Sequence, residues 1–354
     1  MRRSPLSLTV LLIAACGCAH LGPSTIPQDR FDYSASISES WKRQTLLNVV
    51  KLRYLDLPIF VDVGQIVSGY SLSTNIGATG ALSADTGGPT NRGLSVTGEA
   101  RFEDRPTITY TPLTGSSFVR GLMTPLLPDQ VFATIQAGWP VDGVLRVAIS
   151  AINGLRNQAV SAGRVTAADP AFERVLELLR QIQLSGAVGF RIVQGADQSQ
   201  SSLVTFRTQD IQPETLEQIK EVRRLLRLDP EAQELKLVYA ATSSGDDELA
   251  VLTNSMLHIM MLLSAYVDIP PEHVEEGRAI PGWESIGRDE GIDIRCSDEE
   301  PDDAFVAVEY REHWFWVDDR SLMSKRALVL LMMLFTLADT GEKESMPVIT
   351  IPAQ

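Results

Sequence analysis

The stretch DPAFERVLELLRQI, residues 169–182, decides how the rest of the chain is to be read. Asp169 supplies an N-cap side chain and Pro170 a preset first helical φ, and Phe172, Val175, Leu176, Leu179 and Ile182 recur at the spacing of a helix with one buried face. Downstream of it the period changes. Ala187–Val193 and Ser202–Arg207 read as paired strands across a polar loop, Pro213 opens a second helix with Leu216, Ile219, Val222 and Leu226 inward, and Leu235–Ala240 returns to strand. Asp246-Asp247-Glu248 stands where acids complement a helix dipole, ahead of an apolar run read as a helix over Leu249–Val267. Phe305–Tyr310 and His313–Val317 read as a tight hairpin, Ser321–Asp339 as an apolar helix stopped at Gly341, and Pro347–Ile351 as a terminal strand. No repeat of about 20 to 50 residues interrupts this alternation. The expected fold class is therefore α+β: mixed, mainly antiparallel sheets packed with amphipathic helices.

Upstream, Trp41, Thr45, Leu46, Val49, Val50 and Leu52 form a helical stripe within Ser38–Leu55, ended by Leu57-Pro58. Ile59–Val67 is β-prone. Tyr70, Leu72, Thr74, Ile76 and Ala78 alternate with Ser71, Ser73, Asn75, Gly77 and Thr79, a period of two that predicts a strand. Gly87-Gly88-Pro89 reverses the chain, and Leu94, Val96 and Phe102 mark the return strand, followed by another at Thr107–Tyr110. Short helices are expected over Ser116–Met123 and Asp129–Ala137. Val141–Ile152 fits a strand or a short buried helix, and the pattern does not choose between them.

The first residues carry an address. Met1-Arg2-Arg3, the apolar stretch Leu6–Ala15 and small residues before Cys16 have the three parts of an export signal, too short to span a bilayer. Ile13-Ala14-Ala15-Cys16 resembles the bacterial lipobox. That resemblance implies Cys16 as a lipidated N-terminus bearing several acyl chains, palmitate among them; Cys18 competes less well, because Ala15 stands where a larger aliphatic is preferred. Gly17, where inner-membrane lipoproteins carry aspartate, implies the outer membrane with the body in the periplasm. Ala19–Ser36, with Gly22-Pro23 and Pro27, reads as a polar tether. The expected organisation is a signal at 1–15, anchor and linker at 16–36, an N-terminal α+β region with a β-hairpin at 37–165, and a C-terminal α+β region at 166–354.

Loss of Arg2 and Arg3 takes the formal charge from −14 to −16. So acidic a surface repels phosphate backbones and argues against nucleic acid and against polybasic attachment to lipid. Beyond the anchor the thiols are Cys18 and Cys296, which is no disulfide framework; a bridge between them and two separate thiols both stay open.

No segment carries a reaction signature. Gly-x-Ser-x-Gly, a Walker loop, Ser-x-x-Lys with companions and His-Glu-x-x-His are all missing. His20, His258, His273 and His313 lack metal-ligand spacing, and no metal or cofactor is expected. The acidic run Asp289–Asp303 lacks the spaced ligands and glycine of a calcium loop and reads as solvated. Glu309, His313, Asp318 and Asp319 are the residues from which an acid/base pair could be drawn, although Asp318 or Asp319 also serves as a cap for the following helix. Leu328–Ala338 is too short to cross a membrane and reads as core. Met256, Met260, Met261, Met332 and Met333 read first as core packing and second as an adaptable groove. Tyr70, Leu72 and Ile76 mark a strand face free of charge that can pair with a partner strand or, as a membrane hairpin, enter an oligomeric barrel.

Three segments, Gln44–Tyr54, Arg105–Gly115 and His313–Arg320, together resemble an uncharacterised family of proteobacterial-type lipoproteins. The resemblance implies an anchor and an envelope location and brings no activity with it. The function expected is that of a lipid-anchored periplasmic binding or assembly protein with an envelope protein partner. Its alternatives are an envelope hydrolase built on residues 309–319 and a pore or secretion component inserting the 70–105 hairpin.

Overall fold

The computed structural model describes residues 21–67, 70–82, 92–161, 164–194, 200–207, 209–282 and 292–338. Cys16, Cys18, His20, Asp289, Glu290, Gly341 and the strand expected at Pro347–Ile351 lie outside them. In chain order the first elements are α1 (Leu21–Arg53), β1 (Phe60–Val67), β2 (Tyr70–Leu82), β3 (Arg92–Asp104), β4 (Thr107–Leu113), α2 (Ser116–Met123), α3 (Pro128–Gln136) and α4 (Val141–Ala148). Next come β5 (Ile149–Ile152), β6 (Leu155–Arg156), β7 (Ala159–Ser161), β8 (Arg164–Thr166), α5 (Pro170–Leu184), β9 (Val188–Gln194), β10 (Gln200–Phe206) and α6 (Pro213–Leu226). The remainder are β11 (Glu234–Tyr239), β12 (Glu248–Thr253), α7 (Met256–Ser264), α8 (Pro271–Glu275), β13 (Arg295–Ser297), β14 (Ala304–Tyr310), β15 (His313–Asp318) and α9 (Leu322–Ala338). The fold class is α+β, as the alternating periods predict. No helix among the described residues is long and apolar enough to cross a membrane.

The chain divides into two compact units, Met1–Ser38 with Val61–Leu113 and Glu39–Phe60 with Thr114–Gln354. The second is built on a six-stranded sheet in the order β6-β5-β12-β11-β10-β9. Its neighbours are antiparallel except β11 and β12, which run parallel, joined only by residues 240–247, where such a connection usually needs about a dozen residues or more. The division expected near residue 165 falls inside this sheet, since β5 and β6 precede it and β9–β12 follow. α5 and α6 pack on each other with Phe172, Val175, Leu176, Ile182, Ile219 and Val222 all buried, the inward stripes read from sequence. Asp169 N-caps α5 without a side-chain bond of its own to the helix; its carboxylate accepts the Arg156 N–H at 2.7 Å instead.

Residues 141–152 are both things at once, a buried helix α4 that turns directly into β5. The helix expected over Leu249–Val267 is a correction. Its first part is β12, buried on both faces in mid-sheet, and a strand of that kind reads as a continuous apolar run with no period to tell it from a helix. The break is marked by Asn254, whose amide donates to the Val147 carbonyl at 2.9 Å, and by Ser255, whose hydroxyl accepts the His258 N–H at 3.2 Å and caps α7. Glu248 accordingly sits in a strand, bound to the Ser244 hydroxyl at 2.6 Å, and not at a helix N-terminus. Met256 and Met260 are core residues, while Met261, Met332 and Met333 are half-buried. Leu328, Leu330, Leu331 and Leu334 bury one side of α9 as expected.

A second correction concerns the tether: residues 21–36 are helical, the N-terminal part of α1. Ile26, Phe31 and Ile37 there are exposed, whereas Leu46, Val49 and Val50 further along are completely buried. Burial of the later turns nucleates the helix, and propagation backward adds one hydrogen bond per residue fixed, which is why a polar segment without a stripe of its own follows.

In the first unit β1 pairs with β4 and β2 with β3 as two-stranded sheets. The β2–β3 register runs unbroken from Tyr70↔Asp104 to Leu82↔Arg92. Gly64 on β1 lies against Thr109 and Thr111 of β4. On β1 and β4, Val61, Val67, Ile108 and Tyr110 are exposed.

Candidate functional site

A three-stranded sheet, β13-β15-β14, carries the residues from which sequence suggested an acid/base pair. β14 and β15 join through Arg311 and Glu312, both with positive φ (52° and 68°), the backbone of a type I′ hairpin without its usual glycine. Register fixes the faces. His313 pairs with Tyr310, and Phe315 with Val308 and Cys296, on one face; Glu309 pairs with Trp314 on the other. Asp318 is five positions along the strand from His313, about 17 Å away at ~3.3 Å per residue, and bound to Arg295 at 2.8 Å on the Trp316 side. The backbone N–H of Arg320 and the Arg295 guanidinium hold its carboxyl below the usual range. Asp319 pairs with Lys325 at 2.7 Å, and Ser321, whose hydroxyl accepts the Ser324 N–H, takes the cap position before α9. Glu309, His313, Asp318 and Asp319 are thus close in sequence and distributed over two faces and two ends of the hairpin.

His313 belongs to a different constellation, assembled by α1 and α8. The hydroxyl of Tyr54, at the end of α1, lies 2.8 Å from Nδ1 of His273 on α8, and both residues are buried. The His273 ring meets the His313 ring edge to face at 5.4 Å, and His313 Nδ1 lies 3.0 Å from the Asp298 carboxylate. Tyr54 also meets Tyr310 and Phe315 edge to face at 5.5 and 6.3 Å, and the Arg311 guanidinium covers it at 4.8 Å. Asp56 receives both the Tyr310 hydroxyl and Arg311. Burial, with the Arg278 guanidinium adding to it, pulls His273 below the ordinary histidine value. Burial also pushes Tyr54 up to about 12 and Cys296, on the same face, up to about 11. Burial thus keeps the thiol and the phenol in their protonated, weakly nucleophilic forms. The arrangement ties the end of α1 to the hairpin and to α8. His273 and Tyr54 carry no motif spacing, so only the tertiary fold reveals the pair.

Beside it, Arg53 is completely buried, and its guanidinium lies so close to Gly282 that a Cβ there would sit 2.4 Å from Nη1. Among the described residues no group of three or more His, Cys, Asp or Glu side chains is placed to hold a metal ion. A recess of about 270 Å³ opens between α3, α5 and the β9–β10 end of the large sheet, lined by Phe132, Ile135, Leu179, Phe190 and Val204. Its two glutamines are occupied: Gln136 accepts the Phe190 N–H at 3.1 Å, and Gln183 bridges the Trp139 carbonyl and the Val141 N–H at 2.8 and 3.1 Å.

The β2–β3 ribbon is the remaining feature that sequence singled out. Its register places Tyr70, Leu72, Ile76 and Ala78 on one face with Phe102, Ala100, Gly98 and Val96. Ser71, Ser73 and Asn75 share the other face with Glu103, Arg101 and Glu99. Neither outer edge is paired with a further strand among the described residues. Comparison of the chain with known protein families, with characterised proteins and with solved structures finds no match.

Proposed function

We propose that this chain is a lipid-anchored protein of the outer membrane, its body in the periplasm, that acts without chemistry of its own as an assembly component of an envelope complex. The observation that carries the proposal is the β2–β3 ribbon, thirteen residues in each strand, with both outer edges open among the described residues. A lone two-stranded ribbon is marginal in water, and an open edge is a row of N–H and C=O groups available to another chain. The groups best placed for catalysis argue the same way, since His273, His313 and Tyr54 are spent on holding elements together. Anchoring through Cys16 would set the ribbon beside the membrane in which its partners reside.

In-cell crosslinking of a C-terminally tagged protein, followed by gentle solubilisation, tests this. A stoichiometric partner, lost when Cys16→Ser abolishes the anchor, is the expected result. A monomer without any partner at native expression refutes the assembly role.

A further inference from the structure

Building on that assembly role, we infer that the β2–β3 ribbon is a membrane-spanning hairpin, contributed by several copies of this chain to one closed β-barrel. The first support is the sorting of charge by register. Between the terminal pairs Tyr70↔Asp104 and Leu82↔Arg92, the face holding Leu72↔Phe102, Thr74↔Ala100, Ile76↔Gly98, Ala78↔Val96 and Gly80↔Leu94 has no charged residue. Every charge inside the strands, Glu99, Arg101 and Glu103, falls on the opposite face with serines, threonines and asparagine. A barrel wall has that division, apolar toward lipid and polar toward the lumen.

The second support is length. Thirteen residues span about 40 Å along the strand and about 30 Å across a membrane at a tilt near 40°, enough for the apolar band of about 25 Å that outer-membrane barrels present. Asp104 and Arg92 come at the two ends of that span and Tyr70 at one of them, where interfacial aromatics belong.

The third is the pair of open edges. One hairpin alone would carry unpaired backbone groups into hydrocarbon, so insertion requires that each copy's β2 pair with the next copy's β3 until the ring closes. With two strands from each copy and about eight strands in the smallest barrels, at least about four copies are needed.

The test uses the full, lipidated chain with Cys296→Ser and Cys18→Ser, carrying single engineered cysteines at Leu72, Ile76 and Val96 or at Ser73, Asn75 and Thr97. Each is labelled with an environment-sensitive fluorophore and reconstituted in phosphatidylethanolamine/phosphatidylglycerol vesicles. The first set should become lipid-exposed and quenchable by a lipid-borne quencher, the second set should remain in water, and crosslinked ladders should reach four copies or more. Ile76→Asp, which places a charge on the lipid-facing side, should lower the yield of crosslinked species of four copies or more at least ten-fold while leaving lipid anchoring intact. Labels in water on both faces, or a ladder that stops at a dimer, overturn the barrel. If crosslinking in cells still captures a partner in that event, the assembly role survives without the membrane hairpin; if it captures none, both fall.

Discussion

Replacement of Tyr54 by Phe tests whether the Tyr54–His273 contact is the tie it resembles. The substitution keeps the ring, and with it the edge-to-face contacts to Tyr310, Phe315 and His273, and removes one oxygen that lies 2.8 Å from a buried imidazole nitrogen. His273 is only 5% exposed, so water does not replace the lost partner, and a buried polar atom left unsatisfied costs about 1–3 kcal/mol. His273→Phe strands the tyrosine hydroxyl in the same way, at a similar cost. The double replacement leaves an apolar pair with nothing unsatisfied, so its loss should fall short of the sum of the two single losses by about 2–6 kcal/mol. Urea unfolding followed by tryptophan fluorescence reads this directly, with Trp314 and Trp316 on the hairpin as reporters. A loss of about 2 kcal/mol at a slope near 3 kcal/mol per molar moves the midpoint by roughly 0.7 M. A coupling below about 0.5 kcal/mol in the complete cycle would refute the idea that the two side chains act as a unit.

Burial lowers both His258 and His273 below the ordinary value of 6.5, so the unfolded chain takes up protons before the native one does as pH falls. Stability should therefore be highest above about pH 6.5 and decline below it, by at most about 1.4 kcal/mol per pH unit for each histidine, until the native values are passed; a flat urea midpoint from pH 7.5 to 5 contradicts this. Gly282→Ala places a Cβ 2.5 Å from the Ala265 carbonyl oxygen as well as against Arg53, and should cost about 1–3 kcal/mol or prevent folding; a thermal midpoint equal to that of the parent protein would be inconsistent with the packing. Cys296, held protonated up to about 11, should react with iodoacetamide at pH 8 far more slowly in the folded chain than in urea, and equal rates would show that the thiol is not shielded. Ser255→Ala removes the cap of α7 and should cost about 1 kcal/mol, measured by the same unfolding curves.

Sequence was most legible where one face of an element meets water. α5 and α6 display clean stripes because their outer faces are solvated, and the β14–β15 hairpin displays its alternation for the same reason. β12 does not, because a strand buried on both sides needs no polar residue at any position, and the apolar residues of α7 prolong the run. The N-terminal part of α1 was illegible for the opposite reason: it takes its helical state from turns further along and buries little itself. The candidate site split the same way. The ribbon's period of two is local and survived into the paired strands. The grouping of Glu309, His313, Asp318 and Asp319 was only proximity in sequence, and strand geometry separated it. Tyr54 and His273 stand 219 residues apart, and no spacing rule connects them.

The order of the large sheet has a consequence in time. β5 has the adjoining β6 on one flank, but its other flank borders β12 and not β9, β10 or β11, and Asn254 must reach back across 107 residues to the Val147 carbonyl to complete the junction. β9, β10 and β11 pair with near neighbours and close early, whereas β5 has one flank bare until β12 joins it, an interval of about 100 residues along the chain that makes this pairing a slow one. Through that interval the buried face of α4 and β5 has only β6 and the nearby helices for cover. A chaperone that shields newly made apolar surface would engage this protein there, near residues 141–156, before it engaged any other part of the sheet.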